Sequence, residues 1–177
     1  SPMIDRRQGG VRLVKALLSL FSVVLALAAI SSCAVPAPNR IAPVSFDTAT
    51  VWIHQNSDST RILVEIASSE SQHETGLSRR FALDPDSGML FEFDRPRSGD
   101  DGFWMLGTRV PLDIAFIDEA GVISRILGME LCENGVDQGT CPGYFPEVGY
   151  VSALETNHGW FANKGIEVGA RVTVVRE

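Results

Sequence analysis

The chain has 177 residues, and its 22 acidic residues outnumber its 15 basic ones, giving a formal net charge of −7. This length suits one folded domain with its own hydrophobic core. Because the arginines are scattered among more numerous carboxylates, the sequence lacks the clustered Lys and Arg that bind phosphate backbones. Nucleic acid is therefore excluded as an expected partner.

The N-terminal segment is typical of a lipoprotein export signal. Four basic residues precede an uncharged run from 17 to 30, and the run closes on Ile30-Ser31-Ser32-Cys33, an aliphatic and two small residues before a cysteine. We predict a signal peptide over 1–32 and lipidation of Cys33, whose several acyl chains make a stable membrane anchor. The alternatives are an ordinary cleaved signal and a retained anchor, for which the apolar run is shorter than the roughly 20 residues required.

The predicted location is the cell envelope, with the membrane as a partner through the lipid. Ala34 stands where an inner-membrane retention signal often has Asp, which favours an outer membrane if the host has one. Residues 33–45 contain three prolines among small residues and are predicted to be a flexible tether. Residues 46–177 are predicted to form a single β-rich domain. Removing the signal takes away four basic residues and one acidic residue, so the mature chain has a net charge of −10.

Strands dominate the predicted elements of this domain. Runs of β-branched or alternating apolar residues predict strands at 51–54, 61–66, 89–93, 103–105, 113–117, 122–127, 149–154 and 171–175. Pro111 has no N–H to donate, so the strand beginning at Phe103 must be interrupted, bulged or at an edge near it. Asp118-Glu119-Ala120-Gly121 predicts the turn of the clearest hairpin.

Two short helices are predicted. Overlapping capping boxes in Ser69-Glu70-Ser71-Gln72-His73-Glu74 start the first helix, which is expected to end near Phe81. The second is expected to be capped by Thr156 or Asn157. Since strands outnumber helices and the connections are short, the predicted fold class is α+β, predominantly β. We expect a small antiparallel curled sheet or partial barrel with two short helices.

Cys132 and Cys141 are predicted to form a disulfide, the default for two cysteines in an exported chain. The segment between them is polar and contains two glycines, as in a bridged surface loop. No metal is expected, because zinc normally takes four N or S ligands at characteristic spacing. The chain has no CxxC, and no histidine lies between His73 and His158.

A series of short motifs follows in a fixed order along the domain. They are Gly76-Leu77, Arg80, Gly88-Met89-Leu90-Phe91-Glu92-Phe93, Phe103-Trp104-Met105, Thr108, Pro111-Leu112-Asp113, Phe116-Ile117-Asp118, Leu154-Glu155 and Gly165-Ile166-x-Val168-Gly169. This order resembles the bacterial and archaeal family called domain of unknown function 192, over about residues 64–174. The resemblance implies a small β-rich domain with two helices, often exported or lipid-anchored, and a cysteine-containing loop after the central hairpin. It implies no established activity.

The chain departs from the family pattern in two places. Leu106-Gly107 stands where the family commonly has Lys-Asn, and Ser78 stands where it has Met. If the Lys-Asn pair binds a ligand in relatives, that contact is altered here.

Familiar catalytic motifs are incomplete. His73-Glu74 begins like a zinc-protease helix, but Leu77 replaces the second histidine. Gly76-Leu77-Ser78 begins like a nucleophile elbow, but Arg80 replaces the closing glycine. With no Gly-rich phosphate loop either, no cofactor is expected.

The polar and aromatic members of the resembling motifs are the candidate site residues. They are Arg80, Trp104, Thr108, Asp113 and Glu155. An aromatic platform with a few convergent polar groups is typical of small-molecule sites, including sugar sites. The alternative is structural: Asp113 would cap the break at Pro111, Arg80 would pair with Asp113 or Glu155, and Trp104 would be core.

The sequence therefore favours a lipid-anchored envelope protein that acts as a small-ligand-binding or accessory module. Its partner would be a small molecule or an envelope saccharide. One alternative is an envelope hydrolase or lyase that uses Asp113 and Glu155 as acid and base. The other is a protein-binding scaffold with an exposed apolar patch and no pocket.

Overall fold

The computed structural model of the chain describes residues 43–132 and 141–176. Nine strands and two helices lie within these ranges. The strands are β1 (Asp47–Gln55), β2 (Asp58–Ala67), β3 (Ser87–Arg97), β4 (Phe103–Trp104), β5 (Leu112–Ile117), β6 (Ile123–Met129), β7 (Gly143–Tyr144), β8 (Tyr150–Asn157) and β9 (Arg171–Arg176). The helices are α1 (Glu70–Thr75) and α2 (Trp160–Asn163). The predicted signal peptide and Cys33 lie outside the described residues.

Seven strands form one curled sheet in the order β6-β5-β8-β3-β2-β1-β9. The two predicted hairpins, β1–β2 and β5–β6, are confirmed. The pairing is not wholly antiparallel, because β2 and β3 run parallel and are joined by a crossover that contains α1. The sheet is therefore mixed. It curls until Val122 forms an isolated bridge with Arg171, but β6 and β9 share no ladder, so the sheet is not closed into a barrel.

Two apolar clusters cover opposite faces of the central strands. The first gathers inward side chains from both halves of the curled sheet, and Trp160 and Phe161 of α2 pack into it. The second lies on the other face of β3, β8 and β5 and includes Met89, Phe91 and Ile114. Alternation along β5 explains the division, because successive residues of a strand point to opposite faces.

The first helix is shorter than predicted, and the second begins later along the chain than predicted. The capping box of Ser69 and Gln72 starts α1 as expected, but the helix ends before Gly76, whose φ of 45° breaks it, and does not reach Phe81. Thr156 and Asn157 do not cap α2, because β8 continues through Asn157. The N-cap is Gly159, in a left-handed conformation and without a side-chain cap.

The strand predicted to begin at Phe103 is interrupted before Pro111. Its first two residues form β4, which pairs with β7 in a separate two-stranded sheet, and the chain rejoins the main sheet as β5. Cys132 and Cys141 form the predicted disulfide, which links the end of β6 to the start of β7. The bridge thereby holds the small sheet beside the second apolar cluster, which includes Cys132 and Tyr144 at its edge.

Candidate ligand-binding site

A cavity of about 700 Å³ lies on the face of the sheet that carries the second apolar cluster. It is bounded by β3 and β8, by α1 and the turn after it, and by β4 with the loop that follows. Five aromatic residues line it: Phe91, Phe93, Phe103, Trp104 and Tyr150. Its size and aromatic lining match those of small-molecule sites.

Glu155 is the most deeply buried acidic residue of this cavity. It lies on β8 opposite Met89 of β3 and Ile114 of β5, both of which are fully buried, and is itself 5% exposed. The described residues provide its carboxyl with no charged or hydrogen-bonding partner, and burial alone raises its pKa to about 8. At neutral pH Glu155 is therefore mainly a protonated carboxylic acid facing an open space.

Thr108 and Trp104 line the same cavity as Glu155. The Thr108 N–H donates to the carbonyl of Met105 at 3.0 Å, which closes a turn after β4 and places its hydroxyl at the cavity wall. Trp104 is 57% exposed, so it forms part of the rim and is not a core residue.

The two-stranded sheet that contains Trp104 is followed by a second exposed aromatic residue, Phe145. Trp104 faces Gly143 of β7, and a Cβ on Gly143 would lie 2.5 Å from the ring of Phe145. The glycine thus makes room for that ring, which is half exposed. Together, Trp104 and Phe145 leave an aromatic surface beside the cavity.

His73 is a lining residue that the sequence did not single out as a candidate. Its Nε2 lies 2.9 Å from the carbonyl oxygen of Ala67 and 3.0 Å from that of Glu92. Since carbonyl oxygens only accept hydrogen bonds, Nε2 carries the proton, and in the neutral ring Nδ1 is an acceptor. The sequence signal was limited to the position of His73 on the short capped helix.

The basic side chains of the cavity lie toward its other end. Arg97 faces Tyr150 across β3 and β8, five residues along β8 from Glu155, a strand distance of about 16 Å. Its guanidinium stacks over Phe93, with 5.3 Å between the guanidinium carbon and the ring centroid, and lies 3.4 Å from the Asp101 carboxylate. Its Nε is buried without a hydrogen-bond partner among the described residues. At this distance Arg97 does not neutralise Glu155.

Asp113 does not reach the cavity. Ile114 faces Glu155 across β5 and β8, so the adjacent Asp113 points to the opposite face. Its carboxylate accepts hydrogen bonds from His158 Nδ1 and from the Gly159 N–H, both at 2.8 Å. Asp113 thus holds the connection between β8 and α2 in place of a cap at Pro111.

Arg80 also lies outside the cavity lining. Its guanidinium makes a two-pronged ion pair with the Glu65 carboxylate, at 2.5 and 2.7 Å, and this hydrogen bonding raises the pKa of Arg80. Neither Asp113 nor Glu155, the partners considered from sequence, is involved. Of the five candidate residues, the structure brings together Trp104, Thr108 and Glu155.

Within the part of the chain that the structure describes, no cluster of three or more His, Cys, Asp or Glu is arranged to hold a metal ion. No helix within 43–132 and 141–176 has both the length and the apolar composition needed to cross a membrane.

The fold and the cavity define a small, mostly β protein with a partly enclosed ligand-sized site. The chain belongs to the family called domain of unknown function 192, described as "Uncharacterized ACR", whose model matches residues 51–174. The resemblance seen in the sequence is thereby confirmed.

Solved structures similar to the chain include the following two. A Sinorhizobium meliloti 1021 protein, described as a candidate transcription regulator, is 31% identical over 75% of this chain and 97% of its own, with a TM-score of 0.62. A protein of unknown function from Novosphingobium aromaticivorans DSM 12444 is 25% identical over 78% and 94%, with a TM-score of 0.62. No curated protein matches the chain.

Proposed function

We propose that this protein is a lipid-anchored envelope protein whose domain binds a small molecule in the cavity that contains Glu155. The observation that carries the proposal is the Glu155 carboxyl, 5% exposed and without a partner among the described residues, at a cavity of about 700 Å³. A carboxyl that is mostly buried but opens onto a cavity can bond directly to a ligand held there.

The rim supports binding of an organic ligand. An exposed tryptophan offers a large apolar face at low conformational cost, and Trp104 lies at the mouth of the same cavity as the hydroxyl of Thr108. An envelope saccharide is one such ligand. A regulator that binds DNA is not favoured, because the chain is acidic overall.

The alternatives from sequence are less well supported. A hydrolase using Asp113 and Glu155 needs both carboxyls at one substrate, whereas they point to opposite faces of the sheet. A scaffold without a pocket would not need a buried carboxyl. The exposed Trp104 and Phe145 are still compatible with a protein partner at the rim.

Binding is tested by thermal shift with the full chain purified in detergent, against envelope sugars, peptidoglycan fragments, amines and short peptides. We expect a saturable rise in melting temperature for one class, lost in Glu155→Gln and Trp104→Ala. Trp52→Ala is the matched control, since Trp52 is 36% exposed on β1 and outside the cavity lining. A shift that survives in both cavity variants, or no shift with any compound, contradicts the proposal.

Anchoring is tested separately by metabolic labelling with a fatty-acid analogue in a bacterial host. We expect label on the wild-type chain, which fractionates with membranes, and neither property in Cys33→Ala. Cys132→Ala is the control for loss of any cysteine. Labelling that persists in Cys33→Ala contradicts lipidation at that residue.

A further inference from the structure

The cavity lining offers hydrogen-bond acceptors, and its one buried side-chain donor without a partner among the described residues, the Nε of Arg97, belongs to a residue offset from Glu155 by five positions along β8. The carboxylate form of Glu155 accepts only, and the Nε2 of His73 is already within hydrogen-bonding distance of two carbonyl oxygens, so it is not free to donate to a ligand. Ser78 donates its hydroxyl to the Thr75 carbonyl at 2.5 Å, which leaves the Ser78 oxygen as an acceptor. A ligand group rich in donors fits this lining better than one rich in acceptors.

The charges of the lining residues also favour a donor-rich ligand, and a cationic one in particular. Glu70 and Glu74 of α1 and Asp94 of β3 add three carboxylates to Glu155. The opposing charges are Arg95 and Arg97, of which Arg97 lies at the end of the cavity away from Glu155. An acidic cavity in an acidic chain attracts cations.

The aromatic lining adds a third argument. Phe91, Phe103 and Trp104 line the same cavity as Glu155, and aromatic faces attract organic cations within about 6 Å of the ring centroid. Phe93 already receives a cation from the protein itself, the guanidinium of Arg97.

Resting on the proposed function, we infer that the ligand of this cavity is an organic amine, whose ammonium group donates to the Glu155 carboxylate and lies against the aromatic lining. A primary ammonium has three donors and no acceptor, which complements the acceptors around Glu155. When such a ligand binds, the Glu155 carboxyl releases its proton to solvent and the ion pair forms. No bond to carbon is made or broken.

Binding should depend on pH in a defined direction. The carboxyl must ionise to hold the ammonium, so the affinity for 1,4-diaminobutane, an alkyl amine that stays protonated above pH 8, should rise about tenfold per unit as the pH approaches 8 from below, and then level off. The cross-strand neighbours of Glu155, Met89 and Ile114, are uncharged. The other titratable lining groups are Glu70, His73, Glu74, Asp94, Arg95, Arg97 and Tyr150. Comparison of wild type with Glu155→Gln separates the contribution of these groups to the pH dependence of binding from that of Glu155.

The test is isothermal titration of the full chain in detergent with matched probes. At pH 6.5 we compare 1,4-diaminobutane with 1,4-butanediol, and glucosamine with glucose. Each amine should bind at least about tenfold more tightly than its hydroxyl partner. Titrations in two buffers of different ionisation enthalpy should show release of up to about one proton per amine. Both the preference and the proton release should disappear in Glu155→Gln and persist in Glu119→Gln, an exposed glutamate outside the cavity lining.

The outcomes separate this inference from the proposed function. Equal affinity for amines and hydroxyl partners, or no binding of either amine, overturns the amine inference. If a neutral compound of the thermal-shift panel still binds and depends on Glu155, the proposed function stands. If no compound of either panel binds, both fail. An amine preference retained in Glu155→Gln also overturns the assignment, because another carboxylate would then hold the ammonium.

Discussion

Glu155 faces Ile114 across the β5–β8 pairing and Met89 across the β8–β3 pairing, so its carboxyl lies between two fully buried apolar side chains. This placement, and not a charged neighbour, raises the pKa of Glu155 to about 8. Glu155 lines the cavity of about 700 Å³, so a ligand bound there can supply the partner that this group lacks among the described residues.

The buried carboxyl should make stability fall as the pH rises. In the unfolded chain Glu155 titrates near its ordinary pKa of about 4.3, whereas the folded chain keeps the proton up to about pH 8. Between these values the folded state binds one more proton, so the free energy of unfolding decreases by about 1.4 kcal/mol per pH unit. The contribution is fully present below the unfolded pKa and lost above pH 8.

Glu155→Gln, which cannot titrate, should lose this pH dependence. Chemical denaturation at pH 5, 7 and 9 measures the free energy of unfolding of both proteins. Relative to wild type, the variant should become more stable with each increase in pH. Glu119→Gln serves as the exposed control. Parallel curves for wild type and Glu155→Gln would show that Glu155 is not the titrating group.

Asp113 should matter for stability and not for the ligand. Asp113→Ala leaves the Gly159 N–H without its acceptor, and we expect a loss of about 2–3 kcal/mol in the free energy of unfolding. Asp113→Asn keeps one acceptor oxygen and should lose less. His158→Ala should lose less still, because His158 is half exposed and the bond to Gly159 remains. Loss of ligand binding in a stable Asp113→Asn protein would contradict this structural role.

The Arg80–Glu65 ion pair should contribute modestly to the free energy of unfolding, and this contribution should decrease with salt. Both side chains are about 30% exposed, which screens the attraction, although the two-pronged geometry is favourable. A double-mutant cycle with Arg80→Met and Glu65→Gln should give a coupling energy of about 1 kcal/mol, smaller in 1 M salt. Arg80→Lys should lose much of it, since an ammonium lacks the two-pronged fork. A coupling near zero at low salt would show that the pair is stabilising nothing.

The disulfide should stabilise the chain and position the cavity rim. Joining residues nine positions apart contributes about 2–3 kcal/mol in the chain-entropy model. Because the bridge holds β7, which pairs with Trp104 of β4, replacing Cys132 and Cys141 with Ser should also increase quenching of Trp104 fluorescence by acrylamide. A background in which Trp52 and Trp160 are Phe isolates that signal. Unchanged quenching would mean that the Tyr144 hydroxyl, bonded to the backbone of Glu130, is sufficient to hold β7.

Local patterns in the sequence predicted local structure well. The capping box of Ser69 and Gln72 starts α1, and Asp118 accepts hydrogen bonds from the N–H groups of Ala120 and Val122 in the turn of the β5–β6 hairpin. Each of these features depends on residues within a few positions of one another. The predicted start of α2 was wrong because of a long-range contact. Asn157 pairs with Leu112, and this pairing extends β8 through the residues that were expected to cap the helix.

The sequence by itself determined the family, the mostly β class, the hairpins, the disulfide and the candidate residues, because short-range patterns and motif order carry that information. Only the tertiary structure decided which candidates share a site. Glu155 lies opposite Ile114, so the parity of the β5–β8 register sends Asp113 to the other face. His73 reaches the cavity because the β2–α1–β3 crossover lays α1 against the end of β3. A shift of one residue in register would reverse these faces. Because every residue of β5 is buried, the pattern of apolar residues along it does not tell which face each residue takes.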